Sequence, residues 1–279
     1  MRFLIFALVI MLVPVTASAE EHTLDRTVLL DLLQERESGE WLSLFNGEDL
    51  DGWTAKITGY PSDTNYGNTF RVIDGLLTVD YSEYDKFRDR FGLLFYKKPF
   101  EHYILSLDYR FVGDQIKGGA GWAFENSGVM VHSQSPQSMG VEQDFPISIE
   151  VQFLGGTGTK SRPTANLCTP GTHVNIGGKL VKNHCIESTS ETLAGEQWVH
   201  IDVLVMGNHS IEHFVNGASV MKYANPQIGG GMVSKYNKSE KIDGKALSEG
   251  YIALQSESHP LQFRNIRLLD LTDIVAASH

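Results

Sequence analysis

The sequence predicts an all-β protein: a two-sheet antiparallel jelly-roll sandwich with a short N-terminal helix. From Trp41 onward, short apolar or alternating runs are separated by Gly, Asn, Asp and Pro, which is typical of many antiparallel strands. Residues 147–154 illustrate the alternation. Their odd-numbered side chains are apolar and share one face, while Glu150 and Gln152 lie on the other. Strands with one apolar and one polar face suit a two-sheet sandwich.

Composition and charge exclude several classes of protein. The chain has 279 residues, of which 42% are hydrophobic and 20% are charged. Disordered, collagen-like and coiled-coil chains are therefore excluded. The 34 acidic residues outnumber the 23 basic ones, and this balance disfavours nucleic acids and anionic membranes as partners. A neutral ligand fits it better.

Residues 1–19 have the pattern of a secretory signal peptide. Arg2 precedes an apolar run over residues 3–15, and Ala17-Ser18-Ala19 is a small-residue cleavage site. Because the run is too short to span a bilayer, we expect cleavage after Ala19 and export to the periplasm or the extracellular space. The alternative is an uncleaved membrane anchor. Apart from that segment, we expect no membrane span.

A helical prefix over residues 20–40 is predicted to precede a single domain. Leucines and Val28 recur at helical spacing in residues 24–37, and Gly39 follows as a stop signal. No linker, charge run or internal repeat divides the remaining chain. Residues 41–275 are therefore predicted to form a single β-sandwich domain.

Seven segments carry the clearest strand patterns. They are residues 70–80, 102–112, 127–132, 147–154, 198–206, 211–216 and 251–255. Asp74-Gly75 and Asn216-Gly217 predict hairpin turns, because these residue pairs tolerate the positive φ angles that tight hairpins need.

The two cysteines, Cys168 and Cys185, lie 17 positions apart. In an oxidising compartment we expect them to form one disulfide, which in the chain-entropy model contributes roughly 3 kcal/mol to stability. The alternative is that they bind a metal ion, although no CxxC spacing accompanies them.

Six further motifs follow one another along the chain. They are residues 41–53 (WLSLFNGEDLDGW), 70–79 (FRVIDGLLTV), 125–136 (ENSGVMVHSQSP), 146–156 (PISIEVQFLGG), 198–217 (WVHIDVLVMGNHSIEHFVNG) and 250–271 (GYIALQSESHPLQFRNIRLLDL). Together they resemble the 3-keto-disaccharide hydrolase family over nearly all of residues 41–271. The resemblance implies a concanavalin-A-like sandwich that acts on glycosides whose sugar carries a ketone at C3.

The ketone determines what such an enzyme needs. It acidifies the proton on C2, so that a base can remove this proton, the C1 substituent can depart by β-elimination, and water can then add. The resemblance therefore implies a hydrolase or lyase with a base, an acid for the leaving group, and a donor or metal ion for the enolate oxygen. A divalent ion would be calcium or magnesium with oxygen ligands, or a transition metal with histidine ligands.

Glu150 is the expected base, because it lies on the polar face of its strand at the EVQ position of the resemblance. Glu257 and His259 are also predicted to be catalytic, since they lie where a strand ends at the rim of a sheet. They are expected to act as an acid–base pair, or as a carboxylate that orients an imidazole. The alternative for Glu150 is a solvated strand carboxylate.

His132 is the fourth catalytic candidate. It ends a strand on which Asn126, Gly128, Met130 and His132 are expected to project together. The alternative is a surface histidine without a role in the reaction.

Six side chains are predicted to bind the sugar. Trp122 follows a glycine-rich segment and can present a flat ring to sugar C–H groups. The disulfide would bring two histidines to one loop base, as a lid over the groove or as incidental side chains of a surface loop. The full set is Gln152, Trp122, Asn126, Gln255, His173 and His184.

These observations predict an exported carbohydrate-active enzyme with a carbohydrate substrate. The alternative is a non-catalytic, lectin-like carbohydrate-binding module. Ionisable side chains on the polar strand faces favour the enzyme, because lectins can bind sugars with aromatic and amide groups alone.

Overall fold

A computed structural model describes residues 39–277, which form two facing antiparallel β-sheets. The larger sheet contains, in spatial order, β11 (Lys179–Val181), β10 (Thr172–Ile176), β15 (Ala218–Ile228), β14 (Ser210–Val215), β13 (Val199–Met206), β6 (His102–Phe111), β17 (Leu261–Asp270), β4 (Leu76–Val79) and β3 (Phe70–Ile73), and β1 (Leu42–Ser43) pairs with β17. The smaller sheet contains β12 (Cys185–Ile186), β9 (Asn166–Cys168), β8 (Ile149–Leu154), β7 (Asn126–Ser133), β16 (Tyr251–Ser256), β5 (Gly92–Tyr96) and β2 (Trp53–Ile57). The predicted all-β sandwich is confirmed.

The hydrophobic core lies between the two sheets. Ile149, Val151 and Phe153 of β8 are fully buried in it, and the ring of Phe153 stacks on Tyr109 of β6 at a centroid distance of 4.3 Å. Burying each such apolar side chain stabilises the fold by about 1.5–3 kcal/mol. The predicted alternation of this strand is confirmed, and it directs Glu150 to the outer face of the smaller sheet.

Both predicted hairpin turns are present. Asp74 and Gly75 join β3 to β4, and Asn216 and Gly217 join β14 to β15. All four residues have positive φ angles, between 49° and 84°, as a type I′ turn requires.

The described helix is C-terminal. Helix α1 spans Thr272–Ala277, and the side chain of Asp270 accepts hydrogen bonds from the backbone and hydroxyl of Thr272 at its start. Two single turns of 3-10 helix lie at Tyr66–Asn68 and Gly121–Ala123. The predicted signal peptide and nearly all of the predicted helical prefix fall outside the described residues. Among residues 39–277, no helix is long and apolar enough to cross a membrane.

The predicted disulfide between Cys168 and Cys185 is present. The segment that it encloses contains the hairpin of β10 and β11, and β10 pairs with β15. This segment is therefore the edge of the larger sheet, because its backbone groups are paired with β15 rather than left free to move as a lid.

Candidate active site

Gly128 creates the space in which the site is built. It lies on β7, between β8 and β16 of the smaller sheet. A Cβ atom at this position would lie 2.9 Å from Oε1 of Glu150. The Glu150 side chain therefore reaches over β7, through the space that the missing side chain leaves.

Glu257, which directly follows β16, lies on the other side of β7, close enough for the charge of Glu150 to raise its pKa. Glu150 is 5% exposed and Glu257 is 3% exposed. Burial raises the pKa of Glu150 to about 8. Burial also raises the pKa of Glu257 well above its ordinary value, and the charge of Glu150 raises it further. Two predicted catalytic residues, about 100 positions apart in the sequence, thus form one buried carboxyl pair.

Several polar groups near this pair have no hydrogen-bond partner. They include both amide atoms of Gln255, Oδ1 of Asn126 and Oε2 of Glu257, all buried. Buried polar groups in folded proteins are nearly always hydrogen-bonded. Unpaired groups beside a buried acid pair are therefore candidates to bind a polar ligand, and Gln255 and Asn126 are among the predicted sugar-binding residues.

Gln152 extends the polar face next to Glu150. Its Oε1 atom accepts a hydrogen bond of 3.2 Å from Nδ2 of Asn166 on β9. The same Nδ2 group also donates to the carbonyl of Pro163. Gln152 is therefore held in place on the face where the sequence predicts a sugar contact.

Trp122 lies on the loop that connects β6 to β7. Its side chain is 56% exposed, and its ring is nearly parallel to that of Phe91 at a centroid distance of 6.1 Å. Its carbonyl oxygen accepts hydrogen bonds from Asn126 and from Arg162. An exposed indole whose backbone is held by Asn126 and Arg162 is suited to stacking on a sugar ring.

Arg162 is a residue of this region that the sequence did not indicate. Its guanidinium donates hydrogen bonds to the carbonyl oxygens of Glu125, Gly155 and Trp122. It therefore joins the Trp122 loop to the end of β8. No periodicity or motif in the sequence distinguishes it, because it lies in a loop and its partners are backbone atoms.

His259 is buried, but it makes no hydrogen bond with Glu257. Its ring packs edge-on against Phe111 and Phe124, and neither ring nitrogen has a hydrogen-bond partner of standard geometry. Burial lowers its pKa to about 4, against smaller opposing effects of Gly113 and Asp114. The imidazole is therefore neutral, and Glu257 is paired with Glu150 instead of orienting His259.

The prediction that His132 shares a face with Asn126 and Gly128 is wrong. A bulge in the pairing of β7 with β16 and a φ of 50° at His132 interrupt the alternation. The Nε2 atom of His132 lies 2.9 Å from the carbonyl oxygen of Gly207, in the turn between β13 and β14. Its imidazole therefore reaches the other sheet, away from the carboxyl pair, and burial lowers its pKa to about 4.

The two loop histidines belong to different sheets. His173 lies on β10 of the larger sheet, opposite Gln227. His184 lies beside the disulfide, where burial lowers its pKa. The hairpin carries His173 to the larger sheet, while His184 precedes β12 of the smaller sheet, and a shared role of the two imidazoles stays a prediction.

The described part of the chain contains no suitable set of ligands for a metal ion. Among residues 39–277, one group of three His, Cys, Asp or Glu side chains is close enough to share an ion, and it consists of Cys168, His184 and Cys185. The cysteines are joined in the disulfide, so they offer no thiolate. The divalent ion stays a prediction, and no step proposed below depends on it.

A second charged cluster lies on the larger sheet, next to a cavity of about 680 Å³. His200 contacts Asp108 at 2.7 Å and Asp202 at 3.3 Å. Asp202 and then Asp108 raise the pKa of His200 to about 9, against an opposing effect of burial. Both ring nitrogens have carboxylate partners, so this cluster is satisfied internally, in contrast to the groups around Glu150.

The sequence from residue 40 to residue 269 matches the family model of the 3-keto-alpha-glucoside-1,2-lyase-like domain. The chain belongs to this family. The resemblance noted from the sequence is therefore confirmed. The 3-keto-alpha-glucoside-1,2-lyase-like domain is a carbohydrate-acting, glycosyl hydrolase-like domain, and the match does not favour a lectin.

Two crystal structures from Parabacteroides distasonis ATCC 8503, each provisionally named a glycosyl hydrolase, share its fold. The structure at 1.70 Å is 18% identical with a TM-score of 0.51, over 85% of this chain and 97% of that chain. The structure at 2.00 Å is 18% identical with a TM-score of 0.50, over 83% of this chain and 100% of that chain. Among curated proteins, none matches this chain.

Replacing Gly128 by alanine tests how the site is built. The added methyl group would lie 2.9 Å from Oε1 of Glu150 and from the carbonyl oxygen of Val151, so Glu150 must move. Overpacking of this kind typically destabilises a fold by about 1–3 kcal/mol. We expect Gly128→Ala to lower the free energy of unfolding in urea by this amount. Gly231→Ala is the control, because nothing lies within 4 Å of its added Cβ, and equal stability of the two variants would contradict the prediction.

The raised pKa of Glu150 predicts a dependence of stability on pH. Its folded-state pKa of about 8 exceeds the ordinary glutamate value of 4.5. Below about pH 4.5 Glu150 is protonated in both states, and the free energy of unfolding has its full value. The folded protein loses stability as the pH rises through about 8. Glu150→Gln lacks this titration, so its stability relative to the wild type should rise between pH 5 and pH 9.

Urea unfolding at several pH values measures this difference. We expect it to exceed about 1 kcal/mol, because one unit of pKa difference corresponds to about 1.4 kcal/mol. The exposed residue Glu249 supplies the control variant, Glu249→Gln, which should follow the wild type. A constant difference between wild type and Glu150→Gln would show that Glu150 is ionised at ordinary pH.

Proposed function

We propose that this domain cleaves 3-keto-glycosides by removing the proton on C2, with Glu150 as the base and Glu257 as the acid. The buried Glu150–Glu257 pair over Gly128 carries the proposal. When one carboxyl group of such a pair has lost its proton, the neighbouring group keeps its own. The pair therefore supplies a base and an acid at the same time.

We assign the role of base to Glu150 and that of acid to Glu257. Glu150 has a pKa of about 8, and the pKa of Glu257 is raised further by the charge of Glu150. In this assignment Glu150 is the ionised member of the pair, and its charge keeps the proton on Glu257. A base with a pKa near the working pH combines a useful ionised fraction with a strong drive to accept a proton.

The reaction proceeds in two steps. Ionised Glu150 takes the C2 proton, and the electron pair of the C2–H bond forms an enolate with the C3 carbonyl. The enolate then collapses to a C1–C2 double bond as the C1–O bond breaks, and Glu257 protonates the departing oxygen. The addition of water across this double bond gives the hydrolysis product, and release before this step gives the lyase product.

Gln255 is placed to stabilise the enolate. Its amide is fully buried and both of its polar atoms lack partners, so its N–H group is available to a substrate oxygen. A preorganised donor of this kind is worth most in a site from which water is excluded. Asn126 and Gln152 would bind hydroxyl groups, and Trp122 would stack on a sugar ring. The roles of His259 and His184 in substrate binding or catalysis stay predictions.

An ordinary glycosidase mechanism fits this pair less well. It needs an ionised carboxylate to serve as nucleophile or to activate water, with a protonated carboxyl across the bond that is cleaved. Both mechanisms need Glu150 ionised, but its raised pKa makes the Glu150 carboxylate a stronger base for proton removal. A weak acid pair is better matched to a C–H bond that a neighbouring ketone has already acidified.

The site of action is proposed to lie outside the cytoplasm. The Cys168–Cys185 disulfide supports this, because structural disulfides persist mainly in oxidising compartments. The signal-like pattern of residues 1–19 is consistent with it.

A substrate labelled with deuterium on C2 tests the mechanism. We expect the enzyme to release the aglycone from a 3-keto-glucoside, and to do so more slowly when C2 carries deuterium, because the C2–H bond breaks in the first step. The matched glucoside with a hydroxyl at C3 should not be cleaved. If the two glucosides are cleaved equally, the 3-keto proposal is wrong. If deuterium on C2 does not slow cleavage, the reaction does not proceed through removal of the C2 proton as proposed.

Glu150→Gln tests the base. Loss of a general base typically lowers the rate by about two to four orders of magnitude, whereas the amide keeps the shape of the side chain and its ability to hydrogen-bond. We expect turnover of a 3-keto-glucoside to fall by this factor while substrate affinity is largely kept. Glu249→Gln is the matched control at an exposed position. If Glu150→Gln keeps more than about a third of the wild-type activity, the base is elsewhere.

A further inference from the structure

The outer face of the larger sheet, which points away from the core, carries a band of apolar and small side chains. Across β17, β6, β13 and β14, one row of paired outward residues is Leu269, Ile104 and Leu204, and the next row is Arg267, Ser106, Asp202 and Phe214. Ser106 is 1% exposed and Asp202 is 3% exposed, while Leu204 and Phe214 are half-buried. The face therefore combines a low, buried floor with larger apolar side chains.

Helix α1 packs on one part of this face. Its residues Ile274 and Val275, together with Trp41 and Leu204, contact the apolar cluster formed by Ile104, Met206, Leu269 and Leu271. α1 has six residues, so it is about 9 Å long, whereas the four strands span about 14 Å. The cavity of about 680 Å³ is lined by Trp41, Ser106 and Arg267. α1 is therefore too short to cover the whole face, and the cavity makes the remaining surface concave.

The described chain begins at the edge of this face. β1 pairs with β17, and the guanidinium of Arg267 lies 4.4 Å from the centroid of the Trp41 ring. Three residues, 38–40, separate Trp41 from the predicted helix at 24–37, which lies outside the described residues. Four Cα–Cα steps reach at most about 14 Å. Residue 37 is therefore confined to the neighbourhood of Trp41, beside the outer face of the larger sheet.

The length and pattern of residues 24–37 match this face. As a helix, the 14 residues would be about 21 Å long, and the five strands from β17 to β15 span about 19 Å. One side of that helix would be apolar, with Leu24, Val28, Leu29, Leu32 and Leu33. An isolated helix of this length is marginal in water and depends on packing of its apolar side.

Charge also favours this segment over a second copy of the chain. Residues 20–37 contain six acidic and two basic residues. The face carries Arg264, Arg267 and His200, whose pKa is raised to about 9 by Asp202 and then Asp108. A two-fold symmetric dimer would place the same cations of both copies against each other. An acidic segment of the chain itself meets no such repulsion.

We propose that residues 24–37 form a helix that packs across the outer face of the larger sheet, with its apolar side against Leu204, Phe214 and Trp41. The segment then forms a third layer of the sandwich together with α1. Because Glu150 and Glu257 belong to the smaller sheet, this layer covers the side of the molecule opposite the candidate active site and leaves the substrate face open. Cleavage after Ala19 would leave the segment on the mature chain.

Amide hydrogen exchange of the exported protein, measured by mass spectrometry, tests whether the segment is packed. We expect peptides from residues 24–37 to exchange at least about tenfold more slowly than a free synthetic peptide of the same sequence, because an isolated helix of this length opens readily. Exchange at the rate of the free peptide would overturn the proposal. So would protection that disappears on dilution, because the occupant of the face would then be a second copy.

Leu29→Asp/Leu32→Asp tests whether the apolar side makes the contact. Both substitutions lie in the segment and outside the strands, so the sandwich itself keeps its sequence. We expect the protection of residues 24–37 to be lost in this variant. Thr27→Asp/Gln34→Asp is the matched control, because it adds the same charge on the opposite side of the predicted helix. Equal exchange in the two variants would contradict the proposal.

Hydroxyl-radical labelling tests the location of the contact. In Leu29→Asp/Leu32→Asp we expect labelling of Trp41 and Phe214 to rise at least about twofold over the control variant, because the layer over them is released. Trp122, which is 56% exposed on the other side of the molecule, should be labelled equally in both. If residues 24–37 are protected while labelling of Trp41 and Phe214 does not differ between the variants, the segment packs elsewhere and the proposal is wrong.

Discussion

When two carboxyl groups lie close together and away from water, ionising both costs a large free energy. At least one of them therefore keeps its proton at pH values well above its ordinary pKa. Glu150 and Glu257 are in this position, and much of the smaller sheet is arranged to maintain it. β7 provides the space through Gly128, and β8 and the end of β16 provide the two side chains, each of which is at most 5% exposed.

Apolar packing in the sandwich core offsets the free-energy cost of burying this pair. Ile149 and Val151, on either side of Glu150 in the sequence, pack in the core and anchor β8. Because successive side chains of a strand point to opposite faces, the Glu150 carboxyl group lies on the outer face. The unfavourable burial of Glu150 is therefore offset by apolar contacts one residue away. A site built on a strand in this way is more rigid than one built on a loop, which suits a base that must meet a C–H bond at close range.

Two charged clusters of the same molecule show how a reactive group differs from a structural one. His200 has a carboxylate at each ring nitrogen, so both of its ring nitrogens are satisfied within the protein. Around Glu150 and Glu257, Gln255 and Asn126 retain buried atoms without partners. Internal satisfaction indicates a structural role, and unmet hydrogen-bonding capacity indicates a place for a substrate.

The sequence by itself determined the sandwich, the two hairpin turns, the disulfide and the face on which Glu150 lies, because alternation and turn residues are local signals. It did not reveal Arg162, whose partners are backbone carbonyls, and it misplaced His132, because a bulge is invisible to a period of two. Only the tertiary structure decided that Glu257 pairs with Glu150 rather than with His259, and that Cys168 adjoins Glu150. Strand order is set by packing between segments far apart in the chain, so no local pattern contains the neighbours of a strand.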